Sequence, residues 1–350
     1  MKLVALPGDG IGPETVAVGL NVLAAAAAKT GITVQVEHDL AGHASLDKYG
    51  TTIRPELVEQ VAQSDGLILG PMTTHDLDAS KGQVNPSAFF RKRFDLYANI
   101  RPARTYEGVP MRTNAFDLVV VRENTEGFYA DRNMAVGGSE MLVTPDVAVS
   151  LRRITRHCSE RIARAAFELA MTRRRKVTIV HKANVLKVGD GLFIEACMDI
   201  AKAYPDVVVD SVIVDAMMAY AVREPERFDV IVTTNMFGDI LSDLTAELSG
   251  SLGMAASINA GDQFAMAQAA HGSAPDIAGK NIANPLSQVG SIAMLLGWYG
   301  QRQQQPAYLE TARLMDEAVA ATIKEGKVTR DMGGALGTDE VGQAVLEHLG

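Results

Sequence analysis

The stretch KLVALPGDGIGPETVAVGLNVLAAAAAKTGITVQVE, residues 2–37, sets the pattern for the whole chain. It holds a short aliphatic run, a glycine-rich turn, an alanine-rich segment that ends near Lys29, and a second β-branched run. Residues 2–6 and 33–37 fit short strands, and the segment between them fits a helix. Two strands joined through a helix predict an α/β sheet with crossover helices.

The same alternation continues along the chain. Further strands are expected at 66–69, 118–121, 177–180, 207–214 and 230–233, and further helices near 54–64, 147–173 and 190–203. A helix that starts near Phe237 leads into another sheet-and-helix region, which ends in helices. A length of 350 residues with 47% hydrophobic residues suits two domains. No repeat or long linker interrupts the pattern, so we expect the chain to pass back and forth between them.

Composition excludes several classes of function. Lys and Arg total 33 and Asp and Glu total 42, a net charge of -9, so no global field draws the chain to nucleic acid or anionic membranes. The first residues lack a signal-peptide core, and no apolar run approaches the roughly 20 residues that cross a bilayer. Cys158 and Cys197 lack CxxC spacing, as is typical of reduced thiols. We expect a cytoplasmic protein that binds neither nucleic acid nor membrane.

The segment DILSD places Asp239 and Asp243 four residues apart. Residues at this spacing project from one face of a helix, where two carboxylates repel each other unless a cation lies between them. Oxygen-only ligands suit Mg²⁺ or Mn²⁺. An ordinary acidic first turn, which the helix dipole favours, is the alternative. Spacing alone leaves both interpretations open.

Asp215 and Lys182 each follow a predicted strand, at 207–214 and 177–180. Ligands gather at the carboxyl ends of strands in open α/β sheets, so Asp215 is a candidate third metal ligand. A partly desolvated lysine beside a metal can have its pKa lowered enough to act as a base. Lys182 is therefore a candidate base, with an ordinary surface lysine as the alternative.

Three arginines lie at the ends of predicted elements. Arg91 and Arg101 lie in and just after a short predicted amphipathic helix, and Arg122 follows the strand at 118–121. Guanidinium groups bind carboxylates through paired hydrogen bonds, so the three together fit a di- or tricarboxylic acid. Each alone fits an ordinary salt bridge equally well, and only their combination with the aspartates and the lysine favours a binding site.

Two glycine-rich loops are candidates for binding a dinucleotide. In GDGIG, residues 8–12, the third glycine comes one residue too early for the Rossmann fingerprint, and no acidic residue clearly ends a second strand. HGSAPDIAGK, residues 271–280, leads to Asn284 and Pro285, which fit the N-cap and first position of a helix. The N-cap does not explain the glycine-rich loop before it.

Six motifs follow one another along nearly the whole chain: GDGIGPE (8–14), RKRFDLYANIRP (91–102), RENTEGFY (122–129), HKAN (181–184), NMFGDILSD (235–243) and HGSAPDIAGK (271–280). Together they resemble the β-decarboxylating dehydrogenases, which include isocitrate, homoisocitrate, 3-isopropylmalate, and tartrate or D-malate dehydrogenases. The resemblance implies an α/β fold of the isocitrate/isopropylmalate dehydrogenase kind, not a Rossmann domain, with a cleft between two α/β domains. Residues 1–96 and 247–350 would form the large cofactor-binding domain, and residues 97–246 the small domain with the dimer interface and much of the substrate and metal site.

The resemblance also implies a homodimer with shared active sites, in which Lys182 and Asp215 reach into the partner's site. The home subunit would supply Arg91, Arg101, Arg122, Tyr129, Asp239 and Asp243. Mg²⁺ or Mn²⁺ on the three aspartates would acidify the substrate's 2-hydroxyl, and Lys182 would take its proton. After hydride transfer and loss of CO₂, Tyr129 would protonate the enol.

For the cofactor, the resemblance implies NAD. The candidate cofactor-binding residues are His271, Gly272, Ser273, Ala274, Asp276 and Asn284. Asp276 would lie near the adenosine ribose, where a carboxylate accepts hydrogen bonds from free hydroxyls and repels a 2′-phosphate, so NAD is favoured over NADP. One departure is Gln268, because relatives often have glutamate three residues before the histidine.

The substrate is the open part of the prediction. In this family the segment before Arg91 contacts the variable group of the acid, and here it offers Asn85 and Ser87 in place of paired leucines that cup an isopropyl group. An isocitrate-like acid is favoured over 3-isopropylmalate, and homoisocitrate, tartrate and D-malate stay open. Phe89, Phe90 and Phe128 fit either core packing or a pocket for a less polar acid.

A rival from another class is a non-catalytic regulatory subunit of a hetero-oligomeric dehydrogenase. Such a subunit is expected to lose the base or the proton donor. Lys182, Tyr129 and the three candidate metal aspartates are all present, which argues against this alternative.

Overall fold

The computed structural model describes residues 1–110, 112–129, 134 and 138–350. The described strands are β1 (Lys2–Leu6), β2 (Gln35–His38), β3 (Gly66–Leu69), β4 (Ala98–Arg104), β5 (Asp117–Glu123), β6 (Glu140–Thr144), β7 (Val147–Ser150), β8 (Lys176–His181), β9 (Val208–Ile213), β10 (Val230–Thr233), β11 (Ile258–Ala260) and β12 (Ala265–Ala267). The described α-helices are α1 (Gly12–Thr30), α2 (His43–Tyr49), α3 (Pro55–Ala62), α4 (Pro86–Arg93), α5 (Arg156–Met171), α6 (Gly189–Ala201), α7 (Val214–Arg223), α8 (Asn235–Ser249), α9 (Leu286–Arg302), α10 (Pro306–Lys324) and α11 (Thr338–Leu349).

Ten of the described strands form one sheet in the order β2-β1-β3-β12-β11-β4-β5-β10-β8-β9. The pairs at both ends of this order are parallel. In the middle, β11 runs antiparallel to both β12 and β4, and β4 runs antiparallel to β5. A Rossmann domain has the parallel order 3-2-1-4-5-6. The prediction of an α/β fold other than the Rossmann domain is therefore confirmed.

Four apolar clusters cover the faces of this sheet. The buried residues of two of them come from before 97 and after 253, and those of the other two come from 98–248. This grouping follows the chain division of the predicted large and small domains. The sheet nevertheless runs without interruption from one group to the other, through the pairing of β11 with β4. The domain boundaries themselves stay a prediction.

The structure corrects the predicted helix over 147–173 and the predicted position of Asp215. The helix expected over 147–173 begins only at Arg156, because residues 147–150 form β7 and pair with β6 in a separate two-stranded sheet. Thr155 caps α5, its side chain accepting a hydrogen bond from the Cys158 amide at 3.2 Å. Asp215 does not end a strand, since β9 stops at Ile213 and Asp215 lies in the first turn of α7.

A close contact between two glycine-rich loops positions the site described below. Gly10 has a φ of +58°, and a Cβ there would lie 1.9 Å from the Ser273 carbonyl oxygen. The Ile11 amide donates to that same oxygen at 2.9 Å. Only glycine allows this approach, so the loop after β1 is held against the HGSAPDIAGK loop.

Within the described ranges, no helix is long and apolar enough to cross a bilayer.

Candidate active site

Strands β4 and β5 and helix α8 bring two arginines and an aspartate together. The antiparallel register places Asn99 opposite Arg122, and Arg101 lies two residues from Asn99, so all three side chains share one face of the sheet. From α8, Asp239 accepts a hydrogen bond from Nη1 of Arg122, and its Oδ1 lies 3.2 Å from Nη1 of Arg101. One carboxylate therefore faces two guanidinium groups.

The Arg122 side chain is held by the first turn of α8. Its Nε and Nη2 donate to Oδ1 of Asn235 at 3.0 and 2.6 Å, and Asn235 Nδ2 donates to the Glu126 carbonyl at 3.0 Å. A Cβ at Gly238 would lie 2.7 Å from the Cβ and Cγ atoms of Arg122, which is itself only 2% exposed. The glycine thus permits the helix to pack directly on the arginine.

The Arg101 side chain has a different set of supports. Its Nε donates to Oδ1 of Asn99 at 2.6 Å, and its Nη1 donates to Oγ of Ser242 at 2.8 Å. Asn99 Nδ2 in turn donates to Oγ of Ser257 at 2.8 Å. A guanidinium fixed by several oxygens keeps its orientation, as bidentate recognition of a carboxylate requires.

Asp239 and Asp243 share one face of α8, as the spacing predicts. Asp239 is the fifth residue of the helix, and the first turn holds no acidic residue, so the alternative of an acidic first turn is wrong. Arg101 Nη1 also lies 3.3 Å from Oδ1 of Asp243. Burial raises the pKa of Asp243 above its ordinary value, Arg101 opposes the rise and Asp239 adds to it. Two carboxylates with this mutual repulsion have the oxygen donors that Mg²⁺ or Mn²⁺ prefers.

A cavity of about 210 Å³ opens beside this cluster. Its walls include seven of the residues predicted for catalysis, the substrate or the metal: Asn85, Ser87, Arg91, Arg101, Arg122, Tyr129 and Asp239. We call it the acid pocket. Oη of Tyr129 lies 3.5 Å from Oδ2 of Asp239. Asp243 does not line the acid pocket.

Lys182 and Asp215 also lie outside the walls of the acid pocket. The two side chains form an ion pair with each other, and the hydrogen bond from Lys182 lowers the pKa of Asp215. The Lys182 amide donates to Oδ2 of the buried Asp190 at 2.6 Å, which anchors the loop after β8. In the described part of the chain, no three His, Cys, Asp or Glu side chains are grouped so as to hold a metal. One chain therefore does not bring the three predicted metal ligands together.

A second cavity, of about 540 Å³, adjoins the first, since His271 and Gly272 line both. Ala274 and Asn284 line it as well, whereas Ser273 and Asp276 do not. We call it the nucleotide pocket. Ser273 instead shares a hydrogen bond of 2.7 Å with the Thr73 hydroxyl and is buried, and Asp276 is exposed.

The ring nitrogens of His271 have different roles in the nucleotide pocket. Its Nδ1 lies 3.0 Å from the Gly272 carbonyl oxygen, which only accepts, so Nδ1 carries the proton and Nε2 carries a lone pair. Nε2 is buried and has no hydrogen-bond partner among the described residues. Burial lowers the pKa of His271, which favours the neutral ring. A buried, unsatisfied acceptor beside a cavity of this size suits an amino group such as that of adenine.

Comparison with known proteins gives the family. The model of the isocitrate/isopropylmalate dehydrogenase family matches residues 2–345. The chain belongs to this family. It is 42% identical to 3-isopropylmalate dehydrogenase of Archaeoglobus fulgidus, covering 99% of each protein. It is 40% identical to isocitrate/homoisocitrate dehydrogenase of Thermus thermophilus, covering 99% of this chain and 98% of that protein. The resemblance recognised from the six motifs is confirmed, and the chain is accordingly a dehydrogenase, an oxidoreductase.

A solved structure extends the match to three dimensions. Isocitrate dehydrogenase from Methylococcus capsulatus superimposes with a TM-score of 0.89 at 41% identity, covering 99% of both chains. The prediction of an isocitrate/isopropylmalate dehydrogenase fold is confirmed.

The family's sheet and helices also explain residues that the sequence did not single out. Asn99, Asn235 and Ser242 each accept a hydrogen bond from an arginine of the acid pocket. The sequence indicated only the motifs that contain them. Asp331 lines the nucleotide pocket and accepts a hydrogen bond from Nδ2 of Asn284 at 3.0 Å. Supporting residues of this kind belong to distant segments, so their partners become visible only in the fold.

Two smaller expectations are resolved by packing. The N-cap of α9 is Pro285, one position later than the predicted Asn284. Oδ1 of Asn284 still accepts a hydrogen bond from the Leu286 amide at 3.0 Å. Phe90 is fully buried and packs edge-on against Phe89 in the core under α4. The core interpretation therefore holds for these two phenylalanines, and neither they nor Phe128 line the acid pocket.

Proposed function

We propose that this dehydrogenase carries out the NAD-dependent, Mg²⁺- or Mn²⁺-assisted oxidative decarboxylation of a 2-hydroxy tricarboxylic acid of the isocitrate type. The acid pocket carries the proposal, because three arginines and a carboxylate converge on one cavity whose α4 wall is polar. Three guanidinium groups suit an acid with several carboxylates. Asn85 and Ser87 suit a polar variable group better than an isopropyl group, although the relative in Archaeoglobus fulgidus bears the 3-isopropylmalate name.

The residues present fit both the metal and the cofactor. Asp239 and Asp243 offer carboxylate oxygens on one helix face, and His271 offers a buried acceptor nitrogen beside a cavity large enough for an adenosine. When bound, the metal ion would polarise the substrate's hydroxyl and carbonyl oxygens as a Lewis acid, and NAD would accept the hydride. Asp276 is proposed to favour NAD over NADP through charge repulsion of a 2′-phosphate.

The chain's own residues would orient the acid and move its protons. The guanidinium groups of Arg91, Arg101 and Arg122 would hold the carboxylates so that the leaving carboxylate is aligned. Nζ of Lys182 would take the proton of the hydroxyl oxygen as hydride leaves the carbon that bears it, and this carbon becomes a ketone. The bond from the neighbouring carbon to its carboxylate then breaks as CO₂ departs, and the electron pair of that bond remains on the substrate as an enolate. Oη of Tyr129 would deliver a proton to the carbon that lost CO₂.

The homodimer with shared sites belongs to the same proposal. Lys182 and Asp215 lie outside the acid pocket of their own chain. In the proposed dimer they reach the acid pocket of the partner chain. The hairpin of β6 and β7 supports dimerisation, because its apolar side chains are exposed, among them Leu142 at 70% and Val143 at 57%. Apolar side chains grouped in this way mark an interface with another chain. Sedimentation of the purified protein tests the dimer, and a stable monomer would contradict it.

The deciding experiment is an NADH assay on the purified chain. The acids are isocitrate, homoisocitrate, 3-isopropylmalate, D-malate and tartrate, each with Mn²⁺, with EDTA, and with NADP in place of NAD. We expect NAD reduction that is fastest with isocitrate, stops in EDTA and returns with excess Mn²⁺. Faster turnover of another acid would correct the substrate, and silence on every acid would favour a non-catalytic subunit.

A further inference from the structure

Gln268 joins two residues of α4 in the acid pocket. Its Oε1 accepts from Nη2 of Arg91 at 3.1 Å, and its Nε2 donates to Oγ of Ser87 at 2.6 Å. Nε2 also lies 3.4 Å from the Gly70 carbonyl oxygen. Gln268 is 5% exposed and forms part of the pocket wall. A buried side chain with partners on both ends of its amide has a fixed position.

The chemistry of the partners determines which end of the amide faces each of them. A guanidinium group only donates, so the atom facing Arg91 must be oxygen, and a backbone carbonyl only accepts, so the atom facing Gly70 must be nitrogen. The same NH₂ group faces Ser87, whose hydroxyl oxygen therefore accepts. The proton of that hydroxyl is then directed away from Gln268, and Ser87 can donate it to a ligand in the pocket.

The amide also contributes no charge beside Arg91. A carboxylate at position 268 would form an ion pair with this guanidinium and compete with the carboxylate of a bound acid. It would also accept the Ser87 proton, turning the hydroxyl away from the ligand. The neutral amide avoids both effects.

We propose that Gln268 is a positioning residue that keeps Arg91 and Ser87 as hydrogen-bond donors toward the substrate, and thereby selects an acid whose variable group carries a third carboxylate. The inference rests on the proposed function and narrows its substrate. Neither the isopropyl group of 3-isopropylmalate nor the hydrogen of D-malate accepts a hydrogen bond from Ser87. Binding either acid would leave a donor of the pocket without a partner, which disfavours it.

Gln268→Glu is the first test, because glutamate has nearly the same size and reverses the polarity at Ser87. We expect the KM for isocitrate to rise about tenfold or more, with a smaller change in kcat. The ratio of kcat/KM for isocitrate to that for D-malate should fall about tenfold as well. An unchanged thermal unfolding midpoint would separate this effect from a general loss of structure.

A double-mutant cycle tests whether Gln268 acts through Ser87. Gln268→Met keeps the volume and removes the amide, Ser87→Ala removes the hydroxyl, and the third variant combines both. We expect each single change to lower the selectivity for isocitrate over D-malate, and the double variant to be little worse than Ser87→Ala. If the glutamate variant does not fold, this cycle still tests whether Gln268 positions Ser87.

The outcomes separate this inference from the proposed function. A wild-type protein that turns over no acid of the panel overturns the proposed function, and the role of Gln268 with it. A wild-type protein that turns over isocitrate, while Gln268→Glu leaves its KM and selectivity within about twofold, overturns the role of Gln268 alone. Fully additive effects in the cycle would also overturn the role of Gln268 alone. A wild-type preference for D-malate or 3-isopropylmalate would overturn both the role of Gln268 and the proposed isocitrate-type substrate.

Discussion

Lys182 forms an ion pair with Asp215, and neither residue lines the pocket that contains Asp239. Their side chains are 27% and 59% exposed, so both are accessible from outside the chain. In the proposed mechanism one is the base and the other a metal ligand. They lie outside the acid pocket of their own chain, so we propose that they serve that chemistry where two chains meet. Catalysis should therefore depend on the dimer.

Mixing two inactive variants tests this dependence. We expect Lys182→Ala and Tyr129→Phe to be nearly inactive as homodimers. In a heterodimer of the two, one site combines an intact Tyr129 with an intact Lys182 from the other chain, whereas the other site lacks both. Heterodimers isolated through two different tags should regain about half of the wild-type kcat, measured by NADH formation.

A second pair of variants is the matched control. Lys182→Ala mixed with Asp215→Asn places both defects on residues that reach the partner, so each site of the heterodimer has one defect. No recovery is expected from this pair. Equal recovery from both pairs, or none from the first pair in isolated heterodimers, would contradict sites shared between chains.

Asp239→Asn tests the metal site on α8. We expect metal-dependent turnover to fall about 100-fold or more, because an amide removes the charge that holds the cation. The fold should persist, since Arg122 keeps its two hydrogen bonds to Asn235. The measurements are NADH formation against Mn²⁺ concentration, circular dichroism and sedimentation.

Asp243→Asn is the matched change one turn along the same helix. Asp243 does not line the acid pocket, so we expect a weaker apparent affinity for Mn²⁺ and a smaller loss of kcat. Full activity of Asp239→Asn, or a larger effect at Asp243, would remove Asp239 from the position of main ligand.

Gly238→Ala tests the contact between α8 and Arg122. The added Cβ would lie 2.7 Å from two carbons of the arginine, so either the helix or the guanidinium must move. Overpacking of this kind costs about 1–3 kcal/mol of unfolding free energy. We expect kcat/KM to fall about tenfold or more, since the displaced guanidinium no longer aligns the acid.

Gly191→Ala is the control, because Gly191 is also helical and nothing lies within 4 Å of the Cβ that it would gain. Alanine is the better helix former by about 0.5–1 kcal/mol, so this variant should be at least as stable as the wild type and equally active. Urea unfolding and the NADH assay compare the two. A fully active Gly238→Ala would show that the close approach to Arg122 is dispensable.

The sequence predicted those parts of the fold and site that depend on local patterns. The spacing of Asp239 and Asp243 gave their common helix face, and the aliphatic runs gave β1, β3 and β8. It predicted a further sheet-and-helix region after α8 but gave no bounds for β11 and β12, which are three residues each and too short to show a period. It also extended a helix through β7, because a strand that pairs within an exposed hairpin lacks the hydrophobic alternation of a core strand.

Contacts between distant segments could not be predicted from local sequence patterns. Arg122 was expected to follow a strand and instead lies within β5, where the register with Asn99 determines the face on which it projects. Gln268 stood out only as a departure from relatives. Its role becomes visible once β12 and α4 bring it between Ser87 and Arg91, residues about 180 positions away.

His271 should make the stability of the protein depend on pH. Burial holds its pKa below the ordinary value of 6.5 in the folded chain. Well above pH 6.5 the ring is neutral in both the folded and the unfolded chain, and His271 adds no pH dependence. As the pH falls below 6.5, the unfolded chain takes up the proton first, so stability is lost until the lower folded pKa is reached.

The measurement is urea unfolding of the wild type and His271→Gln between pH 8 and pH 5.5. The stability of the wild type relative to His271→Gln should decrease as the pH falls through this window, with a slope of at most about 1.4 kcal/mol per pH unit. Glutamine can still donate to the Gly272 carbonyl, so the main difference is the missing titration. His157→Gln, at an exposed position, controls for the loss of one histidine. Parallel pH profiles for the wild type and His271→Gln would contradict a buried neutral ring, and with it the acceptor nitrogen that the nucleotide pocket offers to adenine.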